Sequence, residues 1–204
     1  TIVRSLRNLV TLPATQGEGM AERPGVVGRR ISYAEVFWQK TVAFPSIDEF
    51  KKQISSQTIR SASRRGKFIQ LELDSNTLLI HLRMSGDLRV ENANAQVKPH
   101  DRLLLTFADG MRLAFNDTRK FGRVWLVKDP FTVLGDLGPE PFDESLTGQT
   151  LHQKLQSSSR KIKTLLLDQT VLAGIGNIYS DEALHRAGIH PETPANRIDE
   201  TQTG

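Results

Sequence analysis

One short segment of the sequence places three cations around a single aromatic residue. Residues 116–123 are Asn-Asp-Thr-Arg-Lys-Phe-Gly-Arg, so Arg119, Lys120 and Arg123 flank Phe121. Arginine and lysine bind phosphates and base edges, and an aromatic ring can stack on a base or insert between two bases. This composition is typical of a loop that binds nucleic acid. A hairpin loop with a buried Phe121 explains the same residues, and the sequence leaves both interpretations open.

Met84 ends an apolar segment and is followed directly by Ser85 and Gly86. A methionine at the end of a strand is usually a core residue. The Ser-Gly pair predicts a turn, however, and at a turn an exposed methionine could insert between bases as an apolar wedge. A core role and a DNA-binding role for Met84 are therefore both compatible with the sequence.

A basic stretch lies between Lys52 and Glu72. It contains no acidic residue and includes Arg60, Arg64, Arg65 and Lys67. These cations lead directly into an apolar segment that alternates like a strand. They form either a solvated basic face at the start of that strand or a patch that binds phosphates.

A glycine-containing turn at residues 174–176 precedes a segment that is predicted to be helical. Free backbone N–H groups at the start of a helix can hold a phosphate. Three cations on the upstream predicted helix, Arg160, Lys161 and Lys163, favour phosphate binding. A plain turn between two helices is the alternative.

The elements that must position these residues form a β-rich part followed by a helical part. Alternating apolar residues predict strands at residues 31–42, 68–73, 78–84, 103–107, 111–115 and 124–127. Asp109-Gly110 predicts a hairpin, and Ser46 with Glu49 predicts a capped helix through Ile54. Helical spacing is found at residues 1–10, 146–155, 161–167 and 178–187, and residues 13–24 form a polar loop. We therefore predict an α+β fold with a β-rich domain at 1–137 and a helical domain at 138–204.

The composition indicates a globular protein that could bind polyanions. The 204 residues include 27 Lys and Arg against 23 Asp and Glu, a net charge of +4, and the pI is about 9.5; a high pI is one feature of nucleic-acid-binding proteins. The sequence has no cysteine and its five histidines lack a metal-ligand spacing, so we expect no bound metal. No apolar segment approaches the ~20 residues of a membrane span, and the first residues do not resemble a signal peptide.

Taken together and in order, these motifs resemble the formamidopyrimidine-DNA glycosylase family. The matching segments are residues 64–68, 81–86, 116–122, 165–169, 173–179 and 187–191. The resemblance covers most of the chain. It implies a β-sandwich-like N-terminal domain followed by a helix-two-turn-helix domain.

The resemblance also assigns roles to particular residues. The DNA-binding residues that it implies are Met84, His100, Arg119, Phe121, Lys163 and Asn177, and the catalytic residue is Lys67. By similarity, Met84, Arg119 and Phe121 would fill the gap that a flipped-out base leaves in the duplex. Lys163 and Asn177 would hold phosphates near the lesion. Lys67 would bind a phosphate and transfer a proton during strand cleavage.

The activity implied by the resemblance is that of a base-excision repair enzyme. Such a DNA glycosylase and AP lyase would remove the oxidised purines 8-oxoguanine and formamidopyrimidine from duplex DNA and cleave the strand by β,δ-elimination. The trio of Met84, Arg119 and Phe121 resembles this branch more than the related endonuclease VIII branch. A non-catalytic module that binds damaged DNA is the alternative, because the same residues would suffice for binding.

Three features of the family have no counterpart in these residues. The family begins with a Pro-Glu segment whose proline amine attacks the sugar, and Thr1 is not assigned that role. The loop that recognises the damaged base and the four-cysteine zinc finger are also missing. We therefore expect the 204 residues to be a fragment without glycosylase activity. We expect no cofactor in the fragment, and zinc only in the family's finger.

The expected partner follows from the same resemblance. It is damaged double-stranded DNA, and we expect no contact with a membrane. The expected protein is a monomer of bacterial type, located in the cytoplasm and associated with the nucleoid.

Overall fold

The computed structural model describes residues 25–141 and 143–202. These residues form two compact units. The first contains the described residues up to Arg64 together with Phe68–Thr132, and the second contains Arg65–Lys67 together with residues 133–202. The helix predicted at residues 1–10 and the loop predicted at 13–24 lie outside the described residues. Among the residues that are described, no helix is long and apolar enough to cross a membrane.

The first unit is built from two β-sheets. Its strands are β1 Ile31–Val36, β2 Val42–Phe44, β3 Ser61–Arg65, β4 Phe68–Glu72, β5 Thr77–His81, β6 Gly86–Asn92, β7 Asp101–Phe107, β8 Met111–Asp117 and β9 Arg123–Val127. One sheet has the strand order β1-β7-β8-β6 and the other β2-β9-β5-β4-β3. Alternate side chains of both sheets, such as Leu105 and Leu71, belong to one buried apolar cluster. The expected β-sandwich-like domain is confirmed.

The hairpin and the capped helix occur where the sequence predicts them. Strands β7 and β8 pair antiparallel around Asp109-Gly110, and Gly110 has a φ of +82° that suits glycine. Helix α1, Ile47–Ile54, begins after Ser46, whose hydroxyl accepts from the Glu49 amide at 3.4 Å. The Glu49 carboxylate accepts in turn from the Ser46 amide at 3.3 Å, which completes the capping box.

The strand predicted at residues 31–42 is wrong as a single element. Strand β1 ends at Val36, a 3₁₀ turn covers Gln39–Thr41, and β2 begins at Val42. Strand β1 pairs antiparallel with β7 in one sheet, whereas β2 pairs parallel with β9 in the other. The chain must therefore break its extended conformation to pass from one sheet to the other.

Strands β3 and β6 are absent from the sequence prediction. Both lie at the edges of their sheets. Only Ala62 is buried in β3, and no residue of β6 is fully buried. Strand β3 is mostly polar, so periodicity does not reveal it. Strand β6 does alternate, since Leu88 and Val90 pack against the core between charged residues, and this signal could have been used. The strand predicted at 78–84 is also too long, since β5 ends at His81.

The second unit is helical, as predicted. Its helices are α2 Phe131–Leu134, which begins in the first unit, α3 Gly148–Gln156, α4 Ile162–Leu166 and α5 Asn177–Arg186. Two further 3₁₀ turns follow at Ala195–Arg197 and Glu200–Gln202. Their apolar side chains form a separate core around Leu155, Leu165 and Leu184. Burial of each such leucine contributes about 1.5–3 kcal/mol to the stability of the unit.

Candidate nucleic-acid interface

Met84 lies at the tip of the turn between β5 and β6. The amide of Gly86 donates to the carbonyl of Leu82 at 3.0 Å and closes this turn. A Cβ added at Gly86 would lie 2.5 Å from the Leu82 carbonyl oxygen and 2.9 Å from Phe115 Cε2, so only glycine fits. Met84 itself is 74% exposed, and the interpretation of this residue as part of the core is therefore wrong.

The turn after β8 presents a second apolar side chain. Strand β8 extends to Asp117, so this turn is shorter than the sequence predicts and consists of residues 118–122. A Cβ added at Gly122 would lie 2.3 Å from Phe115 Cζ, which makes glycine necessary here too. Phe121 is 53% exposed, which rules out the alternative of a buried aromatic residue.

One buried carboxylate holds both turns. Asp117 Oδ1 accepts from Ser85 Oγ at 2.5 Å and from the Arg119 amide at 3.2 Å, and Oδ2 accepts from the Gly122 amide at 2.7 Å. Burial by itself raises the pKa of Asp117, but these hydrogen bonds favour the charged form and lower the pKa below its usual 3.8. Asp117 is therefore ionised at neutral pH, and its charge holds the backbone of one turn and the Ser85 hydroxyl of the other.

The two turns carry what we call the Met84–Phe121 surface, which consists of Met84, Arg119 and Phe121. Arg119 Nη1 lies 3.5 Å from Met84 Sδ, so the guanidinium of one turn contacts the thioether of the other. Two motifs that the sequence singled out separately thus lie on turns that share Asp117. A cation beside exposed apolar side chains is suited to a gap in a base stack, where the apolar groups meet bases and the cation meets base edges or phosphates.

His100 lies beside the strand end that carries this surface. Its carbonyl accepts from the Asp117 amide at 2.9 Å, and its Nδ1 lies 3.3 Å from Arg102 Nη2. Arg102 Nε in turn donates to the Asp117 carbonyl at 2.8 Å. The His100 side chain is exposed. The sequence did not indicate this role for Asp117, Ser85 or Arg102, although an aspartate just after a predicted strand was a signal that could have been used.

The basic stretch does not act as one patch. Arg60 forms an ion pair with Asp74 at 2.5 Å in the first unit. Arg65, in the second unit, donates to the Gly138 carbonyl at 2.7 Å and lies 3.4 Å from Glu140. Both arginines therefore have structural partners, and the interpretation of the whole stretch as a phosphate-binding patch is too broad.

Lys67 lies in the second unit, next to the glycine-containing turn. Gly66 before it has a φ of +56°, and its amide donates to Glu140 Oε1 at 2.6 Å. The Lys67 side chain is exposed, and its Nζ is 3.7 Å from the position that a Cβ would take on Gly176. The structure therefore brings the predicted catalytic lysine to the start of helix α5.

The turn at residues 174–176 is shaped by one glutamine side chain. Gln169 Nε2 donates to the carbonyls of Leu167 and Ile175 at 2.9 and 3.0 Å, and its Oε1 accepts from the Gly174 amide at 3.0 Å. Helix α5 then begins at Asn177, with Gly176 as an N-cap that offers no side chain. The first N–H groups of such a helix lack intrahelical partners and can bind an anion.

Asn177 is exposed at the first turn of α5, together with its two neighbours. Ile178 is 77% exposed and Tyr179 is 70% exposed. Two adjacent exposed apolar side chains of this size form a patch, and such patches can mark an interaction site. We call Lys67, Asn177 and the N-terminus of α5 the Lys67–Asn177 surface.

Lys163 has a partner that the sequence did not predict. Its Nζ lies 2.7 Å from Asp181 Oδ1 in helix α5. The other two cations upstream are also paired, Arg160 with Asp168 at 2.7 Å and Lys161 with Glu192. Arg160 and Lys161 precede α4 rather than lying in it, and their role as additional phosphate ligands is therefore less favoured than the sequence suggested.

The described residues do not fit a zinc site. No group of three or more His, Cys, Asp or Glu in residues 25–141 and 143–202 could hold a metal ion. The sequence offers no thiolate, the ligand on which a four-cysteine finger depends.

The fold and its two surfaces define a class of protein. It is a two-unit α+β protein with exposed apolar tips, cations and a free helix N-terminus, features that together are typical of nucleic-acid-binding proteins. The sequence matches two family descriptions: the formamidopyrimidine-DNA glycosylase N-terminal domain over residues 18–124 and the formamidopyrimidine-DNA glycosylase H2TH domain over residues 137–204. The chain belongs to the formamidopyrimidine-DNA glycosylase family.

Curated relatives agree with this assignment. The chain is 41% identical over 174 residues to the formamidopyrimidine-DNA glycosylase of Protochlamydia amoebophila, covering 85% of this chain and 63% of that protein. It is 42% identical over 178 residues to the enzyme of the same name from Halalkalibacterium halodurans, covering 85% of this chain and 65% of that one. The chain thus spans slightly less than two thirds of the length of these relatives.

Solved structures of Lactococcus lactis Fpg have the same fold. One is a complex with DNA that contains an abasic site, with a TM-score of 0.81 and 37% identity over 87% of this chain and 67% of that chain. Another is a complex with DNA that contains FAPY-dG, with a TM-score of 0.84 and 34% identity over 98% of this chain and 72% of that chain.

Proposed function

We propose that this protein is a base-excision repair DNA glycosylase and AP lyase that removes oxidised purines, 8-oxoguanine and formamidopyrimidine, from duplex DNA and cleaves the strand by β,δ-elimination. One observation carries the proposal: the Met84–Phe121 surface places two exposed apolar side chains and a guanidinium on turns that a single buried carboxylate joins. Family membership supports it.

The chemistry of this surface suits the replacement of a base. Rotating a nucleotide out of a duplex costs a few kcal/mol of stacking and pairing, and least where the base is damaged. Phe121 can stack on an exposed base, and Met84 can fill the remaining apolar space. Arg119 supplies hydrogen-bond donors to the base or phosphate left without its partner. These three contacts offset the energy of opening the duplex.

The Lys67–Asn177 surface suits the backbone of the same substrate. The unpaired N–H groups at the start of α5 and the Asn177 amide are donors for a phosphate, and the Lys67 ammonium supplies a positive charge. Because Lys67 is beside that site, we also assign it the proton transfer that accompanies strand cleavage. The family's proline nucleophile matches no residue of this sequence, so no step is assigned to it.

The remaining parts of the proposal concern partners and location. We propose damaged double-stranded DNA as the partner, a monomer as the active species, and the bacterial cytoplasm, in association with the nucleoid, as the location. The bacterial origin of the relatives supports the location. The family's zinc would need residues that the described part of the chain does not supply.

The proposal is tested by measuring the affinity of the protein and its variants for two duplexes. One duplex contains an abasic-site analogue and the other is undamaged. We expect Met84→Ala to lower the affinity for the abasic duplex about tenfold and that for the undamaged duplex less than about twofold. The control is Val97→Ala, which shortens an exposed apolar side chain (43% exposed) that belongs to neither turn and should change neither affinity. Equal losses on both duplexes for Met84→Ala would contradict the proposal.

A second experiment separates an enzyme from the non-catalytic alternative. The protein expressed from its whole gene is incubated with a duplex that contains one 8-oxoguanine, and the released base and the cleaved strand are measured. We expect both products, with slower strand cleavage for Lys67→Met. Selective binding of the damaged duplex without any product would instead establish a damaged-DNA-binding module.

A further inference from the structure

Lys120 lies between Arg119 and Phe121 but has no role in the proposed function. Its φ of +63° is in the left-handed region, which costs a residue with a Cβ about 1–2 kcal/mol. Such a conformation persists only where the surroundings hold it in place. The contacts of Lys120 therefore indicate what fixes the turn.

Two contacts hold Lys120, one at each end of the residue. Its carbonyl accepts from Arg123 Nη1 at 3.0 Å. Its ammonium lies 4.4 Å from the centroid of the Trp38 ring. A tryptophan face is the strongest aromatic site for a cation. Arg119 extends to Met84 while Lys120 extends to Trp38, so these neighbouring side chains are directed to different partners.

Trp38 is itself fixed with respect to Asp117. The amide of Phe37 donates to the Arg102 carbonyl at 2.9 Å, and Arg102 Nε donates to the Asp117 carbonyl at 2.8 Å. The Trp38 carbonyl accepts from the Thr41 amide at 2.9 Å and begins the 3₁₀ turn. The indole N–H is buried and has no hydrogen-bond partner in the described part of the chain. The ring therefore contributes its face and not its N–H group.

We propose that Trp38 is a positioning residue for the Met84–Phe121 surface: its ring binds the Lys120 ammonium, holds the turn in its left-handed conformation and so presents Arg119 and Phe121 to DNA. This inference rests on the proposed function, because it assigns Trp38 an effect on the recognition of a lesion. It also makes Lys120 a group that shapes the turn rather than a phosphate ligand.

The test replaces Trp38 by uncharged residues, so that these variants keep the net charge of the protein. We expect Trp38→Leu to lower the ratio of abasic-duplex to undamaged-duplex affinity about threefold to tenfold, and Trp38→Phe, which keeps an aromatic face, to restore most of it. Lys120→Met should lower the same ratio to a similar extent, and the double variant should lose no more than either single variant. A purely structural role would lower the melting temperature and leave the ratio unchanged, which would overturn the proposal.

A parallel variant separates this inference from the proposed function. If Phe121→Ala leaves the ratio unchanged, the proposed function fails and the role of Trp38 fails with it. If Phe121→Ala lowers the ratio but Lys120→Met does not, only the role of Trp38 is overturned; this comparison decides even where Trp38→Leu does not fold.

Fluorescence checks the contact in the free protein. Trp38 and Trp125 are the two tryptophans of the sequence. With Trp125→Phe as the background, Lys120→Met should change the emission of Trp38, because a cation on the ring perturbs it. An unchanged emission spectrum would overturn the proposed contact.

Discussion

The two candidate surfaces differ in what holds their side chains. On the Met84–Phe121 surface, the buried Asp117 accepts from the backbone of one turn and from the Ser85 hydroxyl of the other. Around the Lys67–Asn177 surface, the nearby Lys163 is held by Asp181, whose side chain is 55% exposed. Apolar contact between a side chain and a base weakens markedly over a gap of about 1 Å, whereas charge acts over about 10 Å at 0.1 M salt. Apolar contacts with a base therefore need a fixed backbone, whereas electrostatic attraction to a phosphate does not.

The largest expected effect is at Asp117. Asp117→Asn keeps the size of the side chain but replaces one carboxylate oxygen by an NH₂ group. This NH₂ group would face hydroxyl and amide groups that already donate hydrogen bonds to Asp117. We expect the free energy of unfolding to fall by about 2–3 kcal/mol and most of the preference for an abasic duplex to be lost. Urea unfolding and binding to the two duplexes measure the two effects.

The matched control for this variant is Asp87→Asn. Asp87 is close in sequence to the Met84 turn, but its side chain is 61% exposed and its arginine partner is 3.9 Å away. We expect little change in stability or binding for this variant. The comparison between the surfaces would fail if Asp87→Asn and Asp117→Asn had the same effect.

Acid should weaken the first unit through two buried carboxyl groups. Burial raises the pKa of Asp101 and of Asp117, but hydrogen bonds from groups such as Arg89 and Ser85 outweigh it and bring both pKa values below the usual 3.8. A carboxyl group whose pKa is lower in the folded state stabilises the fold fully above its unfolded pKa and loses this contribution as the pH falls through the folded value.

The expected pH dependence follows from that direction. The free energy of unfolding should be nearly constant for these groups above pH 3.8 and should fall below it as each carboxylate is protonated. Urea titrations from pH 7 down to about 3 measure this loss. The difference in stability between the protein and Asp117→Asn should shrink over the same range; a difference that grew as the pH fell would show that the Asp117 pKa is raised instead.

The sequence indicated the exposed residues Met84 and Phe121 better than the residues that hold their turns in place. Met84 and Phe121 were recognisable because each is next to turn residues that determine the local conformation. Asp117 and Ser85 are 32 positions apart, and their contact depends on the register of β6 with β8. No local pattern encodes such a pairing, because register is set by the packing of whole strands.

The same distinction explains the errors in the fold. The hairpin at Asp109-Gly110 and the capped helix at Ser46 were predicted because their signals lie within four residues. The break after Val36 was missed, since it reflects the change from one sheet to the other. The partner of Lys163 was missed for a similar reason: Asp181 is on another helix, 18 positions away.

A smaller effect should follow from freeing Lys163. Asp181→Asn removes the carboxylate that pairs with the lysine, and we expect the affinity for all duplexes to rise about twofold to threefold at low salt. Damaged and undamaged duplexes should gain alike, because phosphate contacts carry no information about the base. A titration of both duplexes over a range of salt concentrations measures the gain, and it should vanish at high salt.

The control removes the same charge elsewhere. Asp109→Asn also releases a cation, Arg29, but it lies at the hairpin tip, at the opposite end of β8 from Asp117. Seven strand residues separate the two ends by about 20 Å, beyond a Debye length. If Asp109→Asn raised the affinity as much as Asp181→Asn, the gain would reflect net charge and not the site beside α5.

The smallest expected effect is that of relieving backbone strain next to Met84. It tests whether a rigid backbone at this turn contributes to binding by the Met84–Phe121 surface. Arg83 precedes Met84 with a φ of +55°, and Ser56, between α1 and β3, has a φ of +67°. Glycine relieves the strain at either position but loses more chain entropy on folding, so we expect Arg83→Gly and Ser56→Gly each to stabilise by at most about 1 kcal/mol. Thermal unfolding compares the two variants.

Binding should separate these two glycine variants. Arg83→Gly makes the Met84 turn more mobile, and we expect it to reduce the preference for an abasic duplex by about twofold despite its greater stability. Ser56→Gly should leave that preference unchanged. Because both variants relieve the same kind of strain, a drop in preference for Arg83→Gly alone would mean that the left-handed residue limits the motion of Met84. Unchanged preference in both variants would show that Asp117 alone is sufficient to fix the turn.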